Sequence, residues 1–399
     1  MEKYYESARK EWLAHPRTVA GIMTGTSLDG IDSAIATFSQ GTNGHKLTVL
    51  STHFSDYPDL IRDTISAVIE KKRPVAEIAA LNVDLATLYD SSVRACCAAA
   101  GLPVSSLDAV GIHGQTVWHN PPASRRDKKR ISTTPSTLQL GSGSALSQLL
   151  GVPVVSDFRT ADVAAGGQGA PLVPIFDKEF FSREHESVGI LNIGGISNIT
   201  FLPQRGSDTP VLAFDTGPGN MLIDAATRLF FGKIFDESGR IANAGVTIPG
   251  ILQRCMEHEF IGRQPPKSTG REMYGKAFLE SILGSIRLPS TPGEDIVRTM
   301  TEFTAASIAR NVSLFGGNIR LIVASGGGIR NATLMNLLAQ RLSNVELTTT
   351  DEAIGLPSDF KEALCFAYLA YRALGGLPGN IPSVTGASRA CVLGSVSYP

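Results

Sequence analysis

Gly21-Ile22-Met23-Thr24-Gly25-Thr26-Ser27-Leu28-Asp29-Gly30-Ile31-Asp32 is the most informative segment of the chain. Apolar residues enter it from Thr18 and leave it toward Phe38, with Gly, Thr, Ser and Asp between them. That pattern predicts a β-hairpin with a turn of small residues. Gly25 and Gly30 would let the backbone approach a ligand closely, and the hydroxyls of Thr26 and Ser27 can donate to it. Backbone N–H groups in such a turn form an anion nest. Asp29 would repel a bare phosphate, and is a good neighbour only if a divalent cation sits between them, directly or through water. An ordinary polar hairpin is the other reading of this segment alone.

Residues 188–202 repeat the pattern: an apolar run, Gly194-Gly195 with Asn and Ser, then a second apolar run. Residues 321–331 read as a buried strand, the triple glycine Gly326-Gly327-Gly328 and a helix start. Two glycine-rich hairpins followed by strand–GGG–helix resemble the actin/hexokinase/Hsp70 superfamily of phosphotransferases. That resemblance implies an α/β protein of two actin-like (ribonuclease H-like) lobes, with mixed sheets flanked by helices and an interlobe cleft. It also implies a phosphate loop from each lobe and an adenosine loop at the triple glycine.

At 399 residues the chain is long enough for two domains. Its formal charge of −1 gives no general attraction to nucleic acid. No run approaches 18 uninterrupted apolar residues, so no membrane span is expected. Residues 1–16 lack the apolar core of a signal peptide, which points to the cytoplasm. The five cysteines show neither zinc spacing nor a disulfide framework, and Cys365 and Cys391 read as packing residues.

The expected organisation is an extension over 1–16, a first lobe over 17–186 and a second over 187–399. The first lobe reads as three strands over 17–55, helices over 58–71 and 75–101, a strand over 108–113, then strand, helix and strand over 137–158. A mobile basic loop is expected over 121–136. The second lobe reads as two hairpin strands, a strand over 211–215, helices near 219–231, 246–259, 275–287 and 294–315, then strands at 319–324 and 345–350. A last helix over 359–375 is apolar nearly all round and is expected to pack between the lobes.

Asp215 stands at the carboxyl end of a strand before Thr216-Gly217-Pro218-Gly219-Asn220, a frequent position for a site residue in α/β sheets. It could serve as a general base, or the segment could simply cap a helix. His113-Gly114-Gln115-Thr116-Val117-Trp118-His119 offers hydroxyl-binding groups and an aromatic face, as a sugar requires, or a structural turn. Arg159 could bind a carboxylate bidentately or pair with Asp157 or Asp162. Lys267 or Arg271 could reach a phosphate, or serve a cap or domain closure; no Walker loop occurs. Glu362, early in the last helix, would be an expensive lone carboxylate unless hydrogen-bonded at a cleft.

Taken in order, MTGTSLDGID (23–32), GIHGQTVWH (111–119), SDFRTADVAAGGQGAPLVP (156–174), LNIGGISN (191–198), FDTGPGNMLID (214–224), PPKSTGRE (265–272), ASGGGIRN (324–331) and LPGNIPSVTGA (377–387) resemble the anhydro-N-acetylmuramic acid kinases, from about residue 17 to 397. The resemblance implies ATP- and Mg²⁺-dependent opening and O6 phosphorylation of a 1,6-anhydro cell-wall sugar, a small-molecule substrate, in peptidoglycan recycling. It implies that Thr24, Gly25, Thr26, Ser27, Leu28, Asp29, Gly30 and Ile31 form a nucleotide-phosphate loop, with Asp29 near the metal through water. Gly194, Gly195, Gly326, Gly327 and Gly328 complete the nucleotide contacts. Asp215 would activate the water, and His113, Gln115, Thr116, Arg159 and Glu362 would lie at the sugar. The family suggests a homodimer. Thr24 stands where Ser is usual. The alternatives are a levoglucosan kinase, which runs the same chemistry on a sugar lacking the lactyl and N-acetyl groups, and a non-enzymatic nucleotide-binding protein of the superfamily. Gly167 and the 378–386 segment look more like the muramic enzyme.

Overall fold

The chain is described by a computed structural model covering residues 2–25, 27–42, 44–122, 134–284 and 291–399, without the side chains of residues 2–5 and 271. Thr26 and most of the basic loop, residues 123–133, therefore lie outside the described residues. Strands β1 (Arg17–Met23) and β2 (Gly30–Gly41) form the predicted hairpin, antiparallel from Arg17↔Phe38 to Met23↔Asp32. With β3 (Gly44–Asp56), β4 (Ala109–Ile112), β7 (Val154–Ser156) and β13 (Ser395–Ser397) they make a six-stranded sheet ordered β13-β7-β4-β1-β2-β3. β1, β4 and β7 are parallel, so their carboxyl ends share one edge. β5 (Gln115–Asn120) and β6 (Ser136–Leu140) stand apart as a two-stranded antiparallel ribbon. The GIHGQTVWH segment is thus half strand, paired with a partner some twenty residues away.

Helices cover both faces of this sheet, and the pleat sorts the residues between them. Ala20 and Ile22 join the core built with Leu85, Tyr89 and Val93 of the helix Val75–Ala99. Gly21, between them on β1, faces the helix Lys361–Leu374 instead. A Cβ there would lie 1.9 Å from the Ala363 carbonyl, and one on Gly111 would lie 2.2 Å from that of Phe366. Glycine at both positions lets the helix backbone settle onto the strands, which brings its first turn beside the ends of β1 and β4.

A second sheet contains β8 (Val188–Ile193), β9 (Ile196–Leu202), β10 (Leu212–Pro218), β11 (Leu321–Ser325) and β12 (Glu346–Thr349), ordered β10-β9-β8-β11-β12. β8, β9 and β10 run antiparallel in succession, while β8, β11 and β12 are parallel. The core of the first sheet, β3-β2-β1-β4-β7, has the same order and the same directions. Each is the mixed sheet of an actin-like lobe. The helix Gly293–Phe315 buries one side of the second, with Met300, Phe303 and Ile308 in its core.

The chain groups into two units, Met1–Phe180 with Phe360–Pro399, and Phe181–Asp359. The second unit starts slightly before the expected 187, and the chain returns to the first unit at Phe360 instead of staying in the second to its end. The return has a physical cause: Lys361–Leu374 docks on β1, β2 and β4, and β13 pairs antiparallel with β7. The extension is a helix, Glu2–Ala14, whose Trp12 indole donates to the Tyr371 carbonyl at 3.0 Å. Cys391 is only partly buried, unlike the fully buried Cys365. Among the described residues no helix is long and apolar enough to cross a membrane.

Candidate functional site

In the first unit the predicted residues gather at the carboxyl ends of β1, β4 and β7. The loop after β1 is closed by the protein from behind. Gln115 Nε2 donates to the Gly25 carbonyl at 3.2 Å, and Arg62 Nε to the Leu28 carbonyl at 3.0 Å. The Tyr57 amide donates to the Asp29 carbonyl at 3.2 Å. Leu28 adopts a left-handed φ of 61°, uncommon for a residue with a side chain and frequent where function holds strain. The Ser27 hydroxyl donates to Asp29 Oδ1, and both side chains are exposed. Thr24 turns inward, 1% exposed, beside the Tyr89 hydroxyl.

Two members of the loop serve the fold. Gly30 lacks a side chain because a Cβ would meet the Ser55 carbonyl at 2.3 Å and the Phe54 ring at 2.7 Å, so its reason is packing on β3. The Ile31 side chain lies in the core at 1% exposure. Gln115 is likewise fully buried: Oε1 accepts from Tyr57 at 3.2 Å, and its amide faces the loop. Thr116 accepts from Gln139 Nε2 at 3.3 Å across the ribbon.

Arg159 pairs with neither Asp157 nor Asp162. It donates twice to His113 Nε2, from Nε at 3.2 Å and a terminal nitrogen at 2.8 Å. Because a guanidinium can only donate, the His113 proton must be on Nδ1. Burial, then the Arg159 charge, hold the His113 pKa well below its ordinary value, and push that of His119 to about 4. Neutral rings thus face a guanidinium that has used two of its five donors and remains partly exposed. Glu362 supplies an opposite charge that acts on it through space, with no hydrogen bond between the two among the described residues. Glu362 is itself exposed, although its helix is otherwise buried from Ala363 to Tyr371. The carboxylate expected inside the helix packing therefore meets water. Crowding by protein raises its pKa against the pull of Lys361 and Arg159, and its access to solvent limits that push. The buried charge of this helix is Lys361, paired with Asp177 at 2.8 Å.

Asp162 has another task. Its Oδ1 accepts from Asn380 Nδ2 and from the Thr385 hydroxyl, both at 2.7 Å, and its Oδ2 from the Gly169 amide at 2.7 Å. A Cβ on Gly167 would strike Oδ2 at 2.2 Å. Gly167 and the 378–386 segment, distant in sequence, are thus one clasp around a single carboxylate.

In the second unit, Gly194 and Gly195 turn between β8 and β9. Their carbonyls accept from the amides of Asn220 at 2.8 Å, and of Gly219 and Met221 at 2.9 and 3.1 Å. A Cβ on Gly195 would meet only the Met221 methyl at 3.4 Å, ordinary contact. Within the triple glycine, Gly326 and Gly328 are crowded by Asn192 and Ile193, while a Cβ on Gly327 would meet only Asn220 Nδ2, in ordinary contact at 3.9 Å.

Asp215 sits in β10 at a register shift against β9, before Gly217 at φ 146°. Such bulges re-aim side chains. The Thr269 amide donates to its Oδ2 at 2.8 Å, and among the described residues nothing bonds Oδ1. Burial pushes its pKa up to about 6; the Thr269 amide and Lys267 oppose the rise, and Glu272 adds to it. Behind the turn, the helix Gly293–Phe315 presents Thr304 to the Gly219 carbonyl at 2.9 Å and Asn311 to that of Thr216 at 3.0 Å. Thr304, Ser307 and Asn311 recur at helical spacing, a polar stripe that the sequence displayed and periodicity could have found. Arg62 gave no such signal, being an ordinary surface arginine of an amphipathic helix. Lys267 is buried and fully bonded within its own unit, which removes it as a phosphate ligand. The Arg271 side chain lies outside the described residues.

The profile of the anhydro-N-acetylmuramic acid kinase family matches residues 17–399. A Salinibacter ruber protein named anhydro-N-acetylmuramic acid kinase is 41% identical over 389 residues, 96% of each chain. A Bacillus cereus protein of the same name is 39% identical over 388 residues, 96% of this chain and 99% of that one.

Proposed function

The chain belongs to the anhydro-N-acetylmuramic acid kinase family, and on that premise we propose how its own residues divide the work. It is an ATP-dependent phosphotransferase with an alcohol acceptor, acting on a small sugar. In the reaction, water adds to the anomeric carbon of 1,6-anhydro-N-acetylmuramic acid. The C1–O6 bond breaks and O6 takes the γ-phosphoryl group of ATP. The products are N-acetylmuramic acid 6-phosphate, ADP and the proton lost by the water.

Asp215 receives that proton. One observation carries this assignment: a carboxylate at the bulge of β10 with Oδ2 held by the Thr269 amide, Oδ1 unbonded among the described residues, and a pKa about 6. Such a group is ionised at neutral pH and basic enough to accept a proton. The loop Thr24–Asp29 and the Gly194-Gly195 turn bind phosphate oxygens through backbone N–H groups, and Gly327 leaves room for the nucleoside. Arg159, with donors to spare and a neutral His113 fixing its plane, takes the lactyl carboxylate. Glu362, exposed and accepting, suits a sugar hydroxyl. Gln115 holds the phosphate loop in shape, and Thr116 remains at the edge of the sugar site.

Mg²⁺ fits beside Asp29. That carboxylate is exposed, and among the described residues no cluster of three acidic, His or Cys groups offers a protein cage. A hard cation held chiefly by phosphates and water, with Asp29 in its outer sphere, agrees with that donor set. When bound, it neutralises charge on the transferring phosphoryl group. A cytoplasmic setting, a homodimer and a place in cell-wall recycling belong to the same proposal.

ATP consumption with anhydro-N-acetylmuramic acid and with levoglucosan, side by side, tests the reading. Strong preference for the muramic sugar is expected. Preference for levoglucosan overturns the substrate, and no turnover with either sugar favours a nucleotide-dependent binding protein.

A further inference from the structure

Lys267 is 5% exposed and, among the described residues, forms no ion pair. Its Nζ donates to the carbonyls of Phe260 and Ile261, both at 3.1 Å, and to Asn311 Oδ1 at 2.7 Å. Those bonds use all three ammonium hydrogens. The rings of Phe260, Phe214 and Phe315 stand 4.9, 5.4 and 5.6 Å from Nζ. An ammonium there loses its water, and carbonyls with aromatic faces return part of that loss. Burying a lysine so completely needs a reason, and its surroundings supply one.

The backbone around Lys267 grips Asp215 twice. The Lys267 carbonyl accepts from the Asp215 amide at 3.2 Å, and two residues on, the Thr269 amide donates to Asp215 Oδ2. Asn311, which accepts from the ammonium, also donates to the carbonyl of Thr216, the residue after Asp215. One buried charge therefore links the segment 267–269, the helix Gly293–Phe315 and the bulge of β10.

We propose that Lys267 is the positioning residue for Asp215, pinning the 267–269 segment so that one carboxylate oxygen is held and the other stays open. The proposal rests on the reading of Asp215 as the base. The charged groups that act on Asp215 are Glu272 and Lys267 itself, and Arg263 acts on Lys267. Facing residues from β9 and the helix are Asn198, Ser197, Ser307 and Asn311, all uncharged.

Lys267→Met in the full chain keeps length and removes the charge. Its kcat is expected to fall about 10- to 100-fold, as misplacement of a reacting group by an ångström does. The acid limb of its pH profile should rise by about one unit with the cation gone. The KM for ATP should stay near wild type. A merely structural lysine would lower the melting temperature and leave the acid limb in place. Wild-type kcat and an unmoved limb overturn the proposal.

Should the variant not fold, native-state acetylation of the wild-type protein, read by mass spectrometry, decides. Lys267 is expected to stay unmodified while exposed Lys276 reacts, and equal labelling overturns the pin. Asp215→Asn separates the two readings. If that variant turns over normally, the base assignment fails; if it is inactive while Lys267→Met behaves as wild type, only the pin fails.

Discussion

The two units carry the same strand order and the same hairpin, yet the two hairpin turns are built differently. The turn after β1 is long and held from behind by side chains of Gln115 and Arg62 and the amide of Tyr57, with Ser27 and Asp29 exposed. The turn after β8 is two glycines, held by backbone amides of residues 219–221. The first can offer a carboxylate and a hydroxyl; the second offers backbone alone. The third strands differ too. The β2–β3 pairing has its irregularity in mid-strand, between Ile35 and Ala36 of β2 opposite Ser51 and Val49 of β3, whereas β10 has it at Asp215/Gly217, where it turns a carboxylate out. A duplicated framework thus leaves chemistry to be set by short local departures: on the proposed reading, cation and sugar recognition in one unit and proton transfer in the other.

The sharpest way to break this division is Asp215→Asn. It is expected to lower kcat about 10²–10⁴-fold with nucleotide binding intact, by steady-state kinetics and calorimetry. The same carboxyl fixes the pH dependence. Its folded pKa near 6 lies above the usual 3.8, so the ionised form costs stability as pH rises through that window. The Asn variant should therefore melt no lower than wild type at pH 8, while wild-type kcat/KM should fall below pH of about 6 as the base becomes protonated.

Next in size is Arg159→Ala. A charge-assisted hydrogen bond contributes about 1.5–3 kcal/mol, so KM for the muramic sugar should rise about 10- to 150-fold. Any activity on levoglucosan, which has no carboxylate, should hardly change. Equal loss on both sugars would move Arg159 from recognition to structure.

The two turns can then be set against each other. Gly195→Val has room for its first carbon, so melting should be near wild type while ATP affinity drops by about 10-fold or more, a loss of at least about 1.4 kcal/mol. Gly30→Ala has no room: overpacking against Ser55 and Phe54 should cost about 1–3 kcal/mol of stability, read as a lower melting temperature. If Gly195→Val unfolds the protein and Gly30→Ala does not, the assignment of which glycine serves the ligand and which the fold is reversed.

Much of the fold is legible in the sequence. Both hairpins and the strand–GGG–helix followed from local alternation and turn chemistry, which depend on residues close in sequence, whereas Asp215, expected at a strand end, sits at a bulge in a strand that β9 pairs as far as Pro218. What escaped depended on distant partners. The GIHGQTVWH segment became half strand because β6 supplied its ladder. Glu362 was expected inside a buried helix and lies on its one exposed side. Arg159 found a histidine 46 residues away in place of its neighbouring aspartates. Lys267 turned inward because an asparagine and three aromatic rings, none adjacent to it, were assembled around it.

Family, paired lobes and the residue types available for chemistry are written in short windows of sequence, since periodicity and glycine placement are local properties. Which of those residues are spent on the fold and which remain to act depends on how the chain packs. Burial and hydrogen-bond satisfaction are set by groups brought together from far along the chain, and a polar side chain already satisfied by the protein has nothing left for a ligand.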